Sequence, residues 1–195
     1  AGSTAPPARS IPDEKALPAA TGACPAFTAG KNTFAPAGMP ARDVLVSIGP
    51  ESEAKDGPLV FFWHGAGGDP SEAAGGLGPA LAGVTAAGGI VVAPYHDPAA
   101  GELPWFLSLG GKRDDDLRLA DEVLACALAR KGIDLRRIHS VGFSAGAMNT
   151  TQFALRRSSY VASVVVYSGA QVFVVDPQDE SNKYPAMLFF GGAGD

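Results

Sequence analysis

The 195-residue chain carries 20 acidic and 15 basic side chains, a formal net charge of −5, and is 46% hydrophobic and 18% charged. That is the balance of one globular domain with a sizeable core; an acidic protein lacks the basic face that nucleic-acid binding needs, so no nucleic-acid partner is expected. No apolar run approaches the roughly 18 residues of a membrane-spanning helix, and Ala1 to Pro7 lack the basic start and apolar core of a secretory signal.

Residues 1–40 are rich in Ala, Pro, Gly, Ser and Thr and show neither helical nor strand periodicity, so they are expected to form a linker or loosely docked arm ahead of a domain spanning 41–195. An arm of this kind suits an exported protein, and a secreted or periplasmic location is expected. Cys24 lies in the arm and Cys126 in a helical stretch. The pair can close a disulfide that pins the arm; two separate buried thiols, or a partner cysteine beyond the sequence, are the alternatives.

From Asp43 onward strand and helix signals alternate. "DVLVSIG" (43–49) alternates as a strand, and "PLVFFWH" (58–64) is an apolar run suited to a strand buried on both faces. The following "HGAGGD" (64–69) is a glycine-rich turn that can bring backbone N–H groups to a substrate carbonyl; Ala66 is the favoured donor and Gly65 its competitor. His64 opens that turn, where a histidine orders a loop more readily than it serves as a base. A weak helix is expected over 71–87. The strand "GIVVAPYH" (89–96) ends in Tyr95 and His96, on the side of a parallel sheet where sites form; with His64 and Trp105 these residues are expected to line a substrate pocket. Trp105 belongs to "WFLSL" in a loop over 97–112, and a core role for it is the alternative. "DDDLRLADEVLACALARKG" (114–132) has a helix's acidic opening, an apolar face of Leu117, Ala120, Leu124 and Leu128, and a basic, glycine-terminated close.

"RIHSVGF" (137–143) is then a strand, 145–157 a helix, and "VASVVVYSG" (161–169) and "AMLFFGG" (186–192) further strands. Repeated β-α-β units with apolar strands mean an α/β fold, a mainly parallel sheet with helices on both faces. Between the strand at 137–143 and its helix stands "GFSAG", with Ser144 flanked by Gly142 and Gly146. A sharp strand-to-helix turn leaves no room for side chains two residues either side of the serine, exposes its hydroxyl, and sets it beside the free N–H groups of a helix start. Ser144 is therefore the candidate nucleophile, and the N–H of Ala145 a candidate oxyanion donor. His139, inside the strand, is expected to pack there.

In "FFWHGAGGD", "IDLRRIHSVGFSAGAMNT", "VASVVVYSGA" and "PAMLFFGGAGD", over roughly 43–195, the sequence resembles the α/β-hydrolase fold. Within it, the chain is similar to secreted esterases related to polyhydroxybutyrate depolymerases and feruloyl esterases; Ala147 stands where those have a second glycine. The resemblance implies a serine carboxylic-ester hydrolase working through an acyl-enzyme on polyester, aryl or short-chain esters, without metal or organic cofactor. It also implies that Asp195 is the acid that orients a histidine, with Asp176 and Asp179 weaker candidates, and that the histidine follows the acid in sequence. Nothing follows Asp195, and the last strand and helix of the fold are not in the sequence. The chain is thus expected to be part of a longer polypeptide, or to work with a C-terminal fragment that supplies the histidine. A serine peptidase or acyltransferase, and a noncatalytic binding module, are the alternatives on the same scaffold.

Overall fold

The computed structural model describes residues 17–108, 111–169 and 186–191. Seven strands form one sheet: β1 (Gly30–Phe34), β2 (Arg42–Ile48), β3 (Gly57–Trp63), β4 (Ile90–Pro94), β5 (Ile133–Phe143), β6 (Ser163–Tyr167) and β7 (Ala186–Phe190), in the order β1-β2-β4-β3-β5-β6-β7. The five strands from β4 to β7 run parallel, while β2 lies antiparallel to both β1 and β4. The expected mainly parallel α/β sheet is therefore present, with an antiparallel edge added.

The helices are α1 (Glu72–Leu77), α2 (Pro79–Ala86), α3 (Asp115–Arg130) and α4 (Ala145–Arg156). Alternation along β3 splits its side chains between two cores. Leu59, Phe61 and Trp63 face α3 and α4 and pack with Leu117, Leu124 and Phe153, whereas Val60 and Phe62 face α1 and α2 and meet Ala73, Leu77 and Val84. Because both faces are covered, every residue of β3 and β4 is buried, which is why these segments read as continuous apolar runs.

The connection after β3 runs over one face to β4, and the connection after β5 runs over the other to β6. The carboxyl ends of β3 and β5 are neighbours, with Trp63 beside Gly142, so their loops leave in opposite directions and open a crevice between them.

Three expectations need correction. The single helix over 71–87 is two helices, because Pro79 disfavours helical backbone at Gly78, which takes φ 52° and ψ −133°. The arm is neither featureless nor loose from Leu17 on. Its residues 30–34 are the edge strand β1, Phe27 and Phe34 are fully buried against each other, and Cys24 is disulfide-bonded to Cys126 on α3. The carboxylate of Glu122, buried on α3, accepts hydrogen bonds from the N–H groups of Thr21 and Gly22 and the Thr21 hydroxyl, at 2.7–2.8 Å. A five-residue edge strand with one charged and two polar residues is too short to show a period of two in sequence. Finally, β5 starts at Ile133, four residues before the expected strand.

Candidate active site

The crevice is built from two turns. In the first, β5 ends at Phe143 and α4 begins at Ala145, leaving Ser144 to make the whole reversal at φ 53° and ψ −118°. That backbone is unfavourable for a residue with a side chain and is held by its surroundings: the Ser144 N–H donates to the Tyr167 carbonyl at 2.9 Å, and the Ser144 carbonyl accepts from Ala147 and Met148. Gly142 and Gly146 are required by close approach. A Cβ on Gly142 would lie 2.2 Å from the Gly146 oxygen, and one on Gly146 would lie 1.9 Å from the Trp63 oxygen. The elbow is thereby pressed onto the end of β3, and its serine stands out from it half-buried. Ala147, where the resembled esterases have glycine, is fully buried; its methyl lies 2.8 Å from where a Cβ of Gly169 would stand, so the volume added at 147 fits because 169 has no side chain.

The second turn follows β3. Gly65 is buried, and a Cβ on it would lie 3.5 Å from the Cβ of Ser144, which puts this loop directly against the elbow. The Gly65 carbonyl accepts from the Gly68 N–H at 3.2 Å, closing a four-residue turn whose third position, Gly67, has φ 75°, a value glycine adopts freely. Among the described residues the N–H groups of Ala66 and Ala145 make no hydrogen bond, one from each turn. The competing donor, the N–H of Gly65, is already taken by the Glu72 carboxylate at 3.1 Å.

His64 is fully buried and is not a pocket-lining residue as expected. Its Nδ1–H donates to the Gly65 carbonyl at 2.8 Å, which leaves Nε2 to accept from His96 Nδ1 at 3.4 Å. Burial pushes its pKa below the ordinary histidine value, with His96 adding to the fall. The ring is a neutral, loop-ordering group. Trp105 is also buried rather than lining a pocket, at 1% exposure; its indole N–H donates to the His64 carbonyl at 2.9 Å, and its ring meets those of Trp63 and His64. The loop carrying it turns inward and supplies a donor to the buried His64 carbonyl just past β3. Tyr95 and His96 line a different cavity of about 340 Å³ with Arg42, Asp43 and Asp97, at the β2–β4 side, which includes none of the elbow residues.

An apolar cavity of about 460 Å³ adjoins the elbow instead, lined among the described residues by Phe62, Gly75, Gly76, Phe143, Tyr167 and Ser168, with Glu72 the charged group among them. Phe143, immediately before the serine, is 46% exposed. Composition gave no pointer to this cavity, since its walls come from four separated stretches of chain.

His139 sits within β5, its Nδ1 2.9 Å from the Ser163 hydroxyl on the neighbouring strand. Among the described residues no histidine is hydrogen-bonded to Ser144, and none of their His, Cys, Asp and Glu side chains form a group of three or more that could hold a metal ion. Asp195, Asp176 and Asp179 lie outside the described residues. No described helix is long and apolar enough to cross a membrane.

No protein-family model and no curated protein matches the sequence. Solved structures do. The chain is similar to a pOPH variant in complex with DMSO (TM-score 0.62, 18% identity, covering 83% of this chain and 58% of that one). It is similar to a thermostable esterase (0.60, 16%, 84% and 54%) and to the acetyl xylan esterase from Aspergillus awamori (0.53, 21%, 73% and 52%). This likeness shows the fold to be that of the α/β-hydrolases. The chain spans between 52% and 58% of the length of these structures.

Proposed function

We propose that this α/β-hydrolase-fold chain is the nucleophile-bearing part of a serine carboxylic-ester hydrolase. The observation that carries the reading is the strained Ser144 between β5 and α4, with the turn after β3 packed against it and the N–H groups of Ala66 and Ala145 making no hydrogen bond among the described residues. A serine at φ 53° and ψ −118° is strained backbone, and such outliers collect where function fixes the geometry. In the proposed reaction a histidine takes the proton from the Ser144 hydroxyl, and the oxygen attacks the ester carbonyl. The two N–H groups hold the oxyanion that forms, and its collapse expels the alcohol, which the histidine protonates. Water then hydrolyses the acyl-enzyme with the same histidine as base.

All three histidines of the sequence precede Ser144: His64 is engaged in the interior, His139 along β5, and His96 is paired with His64 and lines the cavity at the β2–β4 side, away from the elbow. The base is therefore assigned to polypeptide outside these 195 residues, covalently continuous or separate, with Asp195 as the acid that orients it. The span of only 52–58% of the comparison structures supports that assignment. The apolar cavity beside Phe143 supports substrates with an apolar acyl or aryl group, polyesters and short-chain esters among them. The disulfide supports an extracytoplasmic location.

Hydrolysis of p-nitrophenyl butyrate by the purified protein tests the reading. Ser144→Ala is expected to lower kcat/KM by at least about 10³-fold, and a mutant that keeps wild-type turnover overturns the assignment. A denaturing mass spectrum of active material is expected to contain a histidine-bearing polypeptide beyond the 19.8 kDa chain.

A further inference from the structure

Two consecutive peptide units lead from β3 into the oxyanion turn, and both are held at defined atoms. In the His64–Gly65 peptide the carbonyl accepts the Trp105 indole N–H at 2.9 Å, while the N–H donates to Glu72 Oε2 at 3.1 Å. In the Gly65–Ala66 peptide the carbonyl accepts from His64 Nδ1 at 2.8 Å and from the Gly68 N–H at 3.2 Å. A trans peptide is planar, so fixing its carbonyl aims its N–H the opposite way. The N–H left over is that of Ala66.

The Glu72 side chain is half-buried and packs against the turn it serves: a Cβ on Gly68 would lie 1.9 Å from Glu72 Oε1, so the absence of a side chain at 68 lets the carboxylate approach. Trp105 is fixed in turn from behind. The Phe106 N–H donates to the buried Asp116 carboxylate at 2.7 Å, and Asp116 is ion-paired with the equally buried Arg42. A donor aimed before substrate arrives needs no reorganisation when charge develops, which is where oxyanion stabilisation gets its strength.

We propose that Glu72 and Trp105 are positioning residues that clamp the His64–Gly65 peptide from its two ends and thereby aim the Ala66 N–H at the oxyanion of the ester reaction. The role rests on the esterase reading, but the clamp itself does not, and two measurements separate them. By NMR hydrogen exchange of the full chain, the Gly65 amide and the Trp105 indole N–H are expected to be protected. Glu72→Leu, which keeps the bulk and removes the acceptor, is expected to speed Gly65 exchange at least about tenfold, and Glu72→Gln, which keeps an acceptor, to restore protection. Gly65 exchanging as fast in the wild type as in E72L overturns the clamp whether or not any ester is cleaved.

On p-nitrophenyl butyrate, E72L is expected to lower kcat about 10- to 100-fold, because the interaction it disturbs belongs to the transition state; Glu72 also lines the apolar cavity, so the unchanged KM is expected of Trp105→Phe, which lies outside it. E72Q is expected to recover most of that loss. Trp105→Phe, which keeps a ring and drops the N–H, is expected to lower kcat likewise, and the double variant to fall by less than the product of the singles, since both hold one plane. Wild-type kcat in E72L, alongside Ser144-dependent turnover in the wild type, overturns the positioning role. Absent turnover in wild-type material whose mass spectrum contains the histidine-bearing polypeptide overturns the esterase reading, and the exchange measurement then decides the clamp.

Discussion

Ser144 and His64 show what a single residue contributes and what it costs. The serine occupies backbone that glycine adopts without penalty, so Ser144→Gly is expected to raise the free energy of unfolding by about 1 kcal/mol while abolishing turnover. Denaturant titration beside an ester assay checks both signs. His64 stays neutral when folded because it is buried; His96 also opposes its protonation, while the Gly65 carbonyl, Glu72 and Asp69 favour it too weakly to win. A group whose pKa is lowered by folding binds more protons unfolded, so its stability contribution is fully present above the ordinary histidine value of about 6.5 and is lost as pH falls below it. The melting temperature is expected to drop between about pH 7 and pH 5, and the drop to be shallower in His64→Asn. The spacing of "GFSAG" made Ser144 legible, since only a strand-to-helix turn demands both glycines. The sequence favoured Ala66 over Gly65 but named no partner that would occupy either N–H. That choice lies with Glu72, seven residues on, whose side chain reaches back to occupy one of the two donors.

At the scale of elements, the arm depends on α3. The disulfide closes a stretch of 102 residues between Cys24 and Cys126, and the three hydrogen bonds to Glu122 seat the residues just before it. Chain entropy for a loop near that length gives about 4.7 kcal/mol, and measured effects run lower, so replacing both cysteines by alanine is expected to cost about 2–4 kcal/mol by chemical denaturation. Glu122→Gln keeps an acceptor but loses the charge on the hydrogen bonds from Thr21 and Gly22, and is expected to cost about 1 kcal/mol. Helix α3 was plain in sequence because its apolar residues recur at helical spacing. The burial of its acids was not: Asp116 and Glu122 are covered by the Arg42 guanidinium and the arm's N–H groups, which come from remote stretches of chain.

Over the whole molecule, the sheet places the site through its change of winding direction at β3 and β5, and among the described residues it ends at β7. Strand β7 is exposed along its length, with Leu188, Phe189 and Phe190 at 52%, 54% and 47%. An apolar edge strand invites pairing with another chain. The 195-residue chain is expected to self-associate with rising concentration in sedimentation velocity, and Leu188→Lys to move it toward monomer. Unchanged sedimentation in that variant would mean that the edge takes no part.

By itself the sequence determined the class of fold, the order of most strands and helices, and the nucleophile. Those depend on local periodicity and on steric demands within a few residues, and the chain writes both directly. Only the tertiary structure decided which N–H group is free at the oxyanion turn, that Trp105 and His64 are buried supports rather than pocket walls, and that the arm is stitched to α3. Each of these turns on a hydrogen bond or contact between residues that are remote in sequence, or on a side chain folding back over its own loop, and a polar group's partner is set by what packing brings within about 3 Å of it.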